Sequence, residues 1–255
     1  MNQASKPILL HIPHSSVHIP EADGWEWLVD KAALQCEVQV MTDHFTDELF
    51  ESPRTDRLVA NVSRLVVDVE RFRDDALEPM AEKGMGAAYT KTHDGQEFKL
   101  VYDREAILRQ FYDPHHEALE NWVDAALTQH GACFIIDCHS FPNKALTCDL
   151  DQSPNRPDFC IGTDAFHTPD VLTICAVDFL AKAGQSLWVN KPYAGSIVPL
   201  SRYQKDVRVA SIMVEVNRRL YMDERDGTKQ CFADVTGVVG ELLERLSAQM
   251  SRIQN

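Results

Sequence analysis

Five short segments of the chain carry side chains of the kinds that bind metals and move protons. Pro13-His14-Ser15-Ser16 follows the apolar run Ile8 to Ile12, which presents an imidazole where the chain leaves a strand. Asp137-Cys138-His139-Ser140 ends a second such run, and the Asp could orient the imidazole as a hydrogen-bond acceptor. In Thr42-Asp43-His44-Phe45-Thr46-Asp47, Thr42 or Asp43 reads as a helix N-cap, with Asp47 one turn beyond Asp43. The bland reading is a capped helix with a polar face. The functional reading is that Asp43 or Asp47 completes a His/Asp/His set, nitrogen and oxygen donors that suit a catalytic zinc with one position left for water. Glu215 interrupts the run Ser211 to Val216. A buried carboxylate is costly unless paired or protonated, so it pairs with Arg218 or Arg219, or its pKa rises and it becomes a usable general base. Last, Asp68-Val69-Glu70-Arg71-Phe72-Arg73 leads from a strand into charges.

The arginines matter because of the overall charge. Thirty-nine acidic against 25 basic residues give a net charge of -14. That field repels phosphate backbones and anionic lipid, which argues against nucleic-acid and membrane-surface roles. An anionic ligand must be held by local guanidinium forks, and Arg71, Arg73, Arg218 and Arg219 are the candidates. No apolar run approaches the ~20 residues needed to span a bilayer, and the opening residues lack a basic segment followed by an apolar one, so a cytoplasmic protein is expected. Seven Cys without a C-x-x-C pair argue for reduced, mostly buried thiols rather than disulfides or a structural zinc ribbon.

Hydrophobic residues make up 44% of the 255, enough for a sizeable core, and no linker, repeat or low-complexity block divides the chain. One domain is expected over 1–255. Short apolar runs predict strands at Pro7 to Ile12, Arg57 to Val62, Arg64 to Val69, Ala132 to Asp137, Phe159 to Gly162, Ser186 to Asn190 and Ser211 to Val216. Apolar spacing of three and four predicts helices over Trp25 to Phe50, broken near its middle, Asp103 to His130, Pro169 to Ala183 and Ala233 to Ile253. The alternation implies a three-layer α/β domain with a mixed, mainly parallel central sheet. In such folds ligands lie beyond the carboxyl ends of the strands, where His14 and His139 fall.

Taken together the segments resemble the N-formylglutamate amidohydrolase family. The matching residues are Pro13-His14-Ser15-Ser16, Asp43 to Asp47, Asp68-Val69-Glu70-Arg71, Asp137-Cys138-His139-Ser140 and Glu215-Val216-Asn217-Arg218, with Pro192-Tyr193-Ala194-Gly195-Ser196 resembling that family's Pro-Tyr-Ala-Gly-Gly loop. The resemblance runs from about His11 to Tyr221. It implies a zinc-carboxypeptidase-like fold and one zinc, or another divalent metal, held by His14, Asp43 and His139, with Asp47 a competitor for the third place. It further implies Glu215 as base and acid, and Arg71, Asn217 and Arg218 around a substrate carboxylate. The expected reaction is N-formylglutamate plus water to formate and glutamate, a step of histidine degradation, and the expected partner a small anionic N-acyl amino acid. The chain departs from the pattern at Glu70, where the family has Asn, and at Ser196, where it has a second Gly. Those departures keep open a related deacylase of another N-acylated amino acid, or a metal- or acidic-ligand-binding module without turnover. A cysteine hydrolase using Cys138 beside His139 is disfavoured, because neighbours on a strand point to opposite faces.

Overall fold

In the computed structural model, which describes residues 7–253, the chain runs through β1 (Ile8–Ile12), β2 (Trp25–Trp27), α1 (Lys31–Met41), α2 (Thr46–Leu49), β3 (Asp56–Val59), β4 (Lys99–Val101), α3 (Arg104–Ile107), α4 (Asp113–His130), β5 (Cys133–Phe141), β6 (Phe159–Gly162), α5 (Asp170–Lys182), β7 (Leu187–Val189), β8 (Val209–Asn217) and α6 (Phe232–Ile253). Six strands form one sheet in the order β3-β1-β5-β8-β6-β7, and β2 pairs with β4 in a separate ribbon. The pairs β1–β3, β1–β5, β5–β8 and β6–β7 are parallel, and β6 runs antiparallel to β8. The sheet is therefore mixed and mainly parallel, as expected of near-continuous apolar strands covered on both faces.

Strand periodicity sorts the side chains into two layers of contact. Leu10 and Ile12 of β1, Phe134 and Ile136 of β5, and Ile212 and Val214 of β8 pack with α2, α5 and α6 in the main core. Each such large apolar side chain contributes roughly 1.5–3 kcal/mol through burial. The alternate residues Leu9, Cys133, Ile135 and Val209 meet Leu119, Val123 and Leu127 of α4 on the opposite face. Toward the carboxyl ends these same alternate rows turn polar: His11 on β1, Asp137 and His139 on β5, Glu215 on β8. One face of the sheet stays apolar along β1 and β8 and ends on β5 in Ser140, and the other opens into the site.

Two predicted elements are corrected. Arg64 to Val69 is a series of turns, not a strand. The Ser63 carbonyl accepts from the backbone N–H of Val66 and Val67, which folds the segment back, and burial of Leu65, Val66 and Val67 in irregular structure accounts for the apolar run. The helix predicted from Trp25 begins later, because Trp25–Trp27 pairs with β4 and Asp30 caps α1 by accepting from the Ala33 N–H at 2.8 Å. Between α3 and α4 a π turn spans Leu108–Tyr112. Pro114 lies two residues beyond it; the wider turn accommodates a ring that would strike the carbonyl four residues earlier in a regular helix. Among the described residues no helix is long and apolar enough to cross a membrane.

Candidate active site

β5 runs on to Phe141 and β8 to Asn217, so His139 and Glu215 lie within the strands rather than after them. They are direct partners across the parallel pair, on backbones about 4.8 Å apart. His14 lies just beyond β1 and Asp43 in the link between α1 and α2; the Asp43 N–H donates to the His14 carbonyl at 3.0 Å. The cap of α2 is Phe45, with φ of 63°, and neither Thr42 nor Asp43 fills that place.

The three predicted ligands converge. Asp43 Oδ2 is 3.3 Å from His139 Nδ1 and 3.7 Å from His14 Nδ1. Each imidazole is oriented from behind through its other nitrogen, His14 Nε2 by Asp68 at 2.8 Å and His139 Nε2 by Asp137 at 3.0 Å. Asp43 is itself held by the Ser140 N–H at 3.1 Å and by Arg218 at 2.9 Å. His14 Nδ1 is left buried without a hydrogen-bond partner. An orphaned imidazole nitrogen, a second imidazole and a carboxylate oxygen, with carboxylates behind both rings, fit a divalent metal such as zinc. Asp47 lies on α2, and the group of candidate ligands brought together here contains Asp43 and not Asp47.

A second His–carboxylate group, His11, Glu70 and Asp137, lies alongside. Spacing separates the two. Donors around a tetrahedral zinc with bonds of about 2.0–2.1 Å stand about 3.3 Å apart, close to the separations from Asp43. His11, by contrast, has both ring nitrogens engaged in hydrogen bonds, Nδ1 with Asp137 at 2.9 Å and Nε2 with His115 Nε2 at 2.9 Å, and Glu70 stands 3.1 Å from Nδ1 as an ion pair. Burial opposes charge on His11, but Asp137 and Glu70 prevail and raise its pKa to about 9. Burial and the neighbouring His11 charge push His115 down to about 2. His11 thus donates from both nitrogens and His115 accepts. Glu70 pairs with His11, and Arg73 binds Asp113 and Glu105 at the surface.

Glu215 has no arginine partner. Arg218 is directed to Asp43 and Arg219 to Asp158, while Glu215 Oε2 is buried without a hydrogen bond. Burial, reinforced by the charges of Asp43 and Asp137 and opposed by His139, pushes its pKa up to about 8. Cys138 faces the apolar core, and its burial raises the thiol pKa well above the ordinary value, which leaves it unsuited to nucleophilic attack.

A cavity of about 470 Å³ holds His14, Asp43, His139 and Glu215, with Arg64 and Arg71 on its wall. Asn217 and Arg218, two of the expected substrate contacts, are engaged within the protein. Asn217 is fully buried and outside this cavity, its amide nitrogen donating to the Pro157 carbonyl at 2.9 Å. Arg218 borders it, but its guanidinium is committed to Ser140, the Val40 carbonyl and Asp43. Arg71 keeps free donors: its Nε is buried without a partner, and the carboxylates of Asp68 and Glu78 stand off at 3.6 and 3.8 Å. Arg64, which pattern reading passed over, pairs with Asp68 at 2.7 Å. Asp68 stands at the head of the Asp-x-Glu-Arg segment, the one signal that could have marked it.

The chain matches the model of the N-formylglutamate amidohydrolase family over residues 6–222. It is similar in structure to N-formylglutamate amidohydrolase from Ralstonia eutropha JMP134, with TM-score 0.83 and 24% identity over 98% of this chain and 96% of that one. A gene product of Agrobacterium tumefaciens is also similar, with TM-score 0.66 and 18% identity over 100% of this chain and 95% of that one. No curated protein sequence matches.

Proposed function

Since the chain belongs to the N-formylglutamate amidohydrolase family and is a hydrolase of amide bonds, we propose that it cleaves an N-acylated acidic amino acid with the help of zinc, N-formylglutamate giving formate and glutamate as in histidine degradation. The observation that carries this reading is the unpartnered Glu215 carboxylate beside the His14–Asp43–His139 group, across one strand pair from His139.

When bound, a divalent cation at His14, Asp43 and His139 would polarise the acyl oxygen and acidify water. Glu215 accepts the proton of the attacking water and returns it to the amine nitrogen as the C–N bond breaks. Burial of the Glu215 carboxyl favours its protonated form, so it can hold the water's proton until the amine takes it. Arg71 grips a substrate carboxylate with its free donors, placing the amide against Glu215. Asp68 and Asp137 keep both imidazoles turned with Nδ1 toward Asp43.

The test joins metal analysis with turnover. The purified protein is expected to carry about one zinc per chain. Glu215→Gln is expected to keep that metal and lose roughly 10²-fold or more in kcat. Loss of zinc in this variant would make Glu215 a ligand, and unchanged activity would make it structural; either result overturns the assignment.

A further inference from the structure

We propose that the hollow beside the catalytic cavity is an acyl-group chamber, extending the substrates beyond formyl to apolar acyl groups of several carbons. The proposal rests on the amidohydrolase reading above and names the substrate class of that site.

The hollow measures about 250 Å³ and shares Glu70, Arg71, Ala194 and Met213 with the catalytic cavity. Sheet register gives its distance from the chemistry. His139 stands opposite Glu215 and, one pleat back on the same face, Asp137 stands opposite Met213. Two residues along a strand are about 6.6 Å. A carbonyl carbon at the first row cannot place a formyl hydrogen at the second, whereas an acyl chain of four or five bonds reaches it.

The walls select what enters. Val69, Phe72, Tyr112, Val198, Leu200 and Tyr203 line the hollow. Beyond the threshold, where Glu70 Oε1 and Arg71 Nε have no hydrogen-bond partner, its polar groups are largely engaged: Tyr112 donates to the Arg71 carbonyl at 2.8 Å, His116 Nε2 to the Val69 carbonyl at 2.9 Å, and Asp137 Oδ2 accepts from the Ile197 N–H at 3.1 Å. Such a surface offers burial rather than new hydrogen bonds. Charge places the acidic end of the substrate. Asp137 on the wall repels a carboxylate inside the hollow, and Arg71, which borders both spaces, holds the acidic end where they meet. Leu200 is about half exposed, so the chamber opens to solvent and does not cap the acyl length sharply.

The zinc-loaded enzyme is assayed for amine release from N-formyl-, N-acetyl-, N-butyryl- and N-phenylacetyl-L-glutamate. From formyl to phenylacetyl, kcat/KM is expected to rise at least about tenfold, within the range one or two well-placed apolar groups supply. Leu200→Asp sets a charge at the chamber's edge on a side chain already open to water, so folding is not at stake. It is expected to lower the phenylacetyl-to-formyl ratio of kcat/KM about fivefold or more. A series that stays level or falls with acyl size, or equal losses on every substrate in Leu200→Asp, overturns the chamber and leaves the amidohydrolase reading standing. Hydrolysis of none of the four overturns that reading and the chamber with it.

Discussion

Three arginines border the catalytic cavity, and their existing bonds separate their roles. Arg218 holds Asp43, Arg64 holds Asp68, and Arg71 keeps an unpartnered Nε. Arg71→Lys preserves charge and removes the fork. It is expected to lower kcat/KM for an N-acylglutamate by about tenfold or more, and to affect the isosteric N-acylglutamine clearly less. Equal losses on the two substrates would make Arg71 structural. Asp68 acts one shell further out, through His14 Nε2 at 2.8 Å. Asp68→Asn is expected to weaken metal affinity about 10- to 100-fold, read by competition with a chromophoric chelator. Unaltered affinity would remove its orienting role.

The turns after Ser63 carry Arg64, Asp68, Glu70 and Arg71, four of the charged groups around the site. Their support is Lys99 on β4, buried, with Nζ donating to the Leu65 carbonyl at 2.5 Å and the Val66 carbonyl at 3.1 Å, over the Trp27 ring. Burial pushes this ammonium from its ordinary 10.5 down to about 7. Between those values the unfolded chain holds more protons than the folded one, so stability rises with pH across the window, and below it the cost is complete. Urea unfolding is expected to show the unsubstituted chain gaining on the order of 2 kcal/mol over Lys99→Met between pH 7 and pH 9. Parallel pH profiles for the two would mean that Lys99 is not held in this state.

Across the whole molecule the net charge of -14 opposes the local attraction of Arg71 for an anionic substrate. The two act over different distances. Screening lengths shrink from about 30 Å at 0.01 M salt to about 8 Å at 0.15 M, which removes the mean repulsion before it removes a short contact in a partly closed cavity. For an N-acylglutamate, kcat/KM is expected to rise about two- to fivefold over that range, while an uncharged N-acyl amide stays level. A fall with salt would show that local positive potential dominates the approach.

Some of this protein was legible from the chain alone. His14, His139 and Glu215 stood out because apolar strands end, or are interrupted, in residues whose chemistry does not suit a core. α4, α5 and α6 were legible through apolar spacing, a local property of neighbouring residues. Other features waited on contacts between distant segments. Leu65 to Val67 has the composition of a strand but no strand neighbour; Lys99, about 30 residues away, takes two of its carbonyls instead. Asp43 rather than Asp47 meets the imidazoles because the chain turns at Phe45 and Ser140 supplies a backbone donor from 97 positions away. Arg218 had the same credentials as Arg71 until its bond to Asp43, 175 positions away, engaged it, and Asn217 lost its place to the Pro157 carbonyl. Residue type and local period determine which groups can do chemistry and which segments become strands or helices. Which donors remain free is decided by what the folded chain brings against them, because a buried guanidinium, amide or carboxylate binds the partner that tertiary packing supplies.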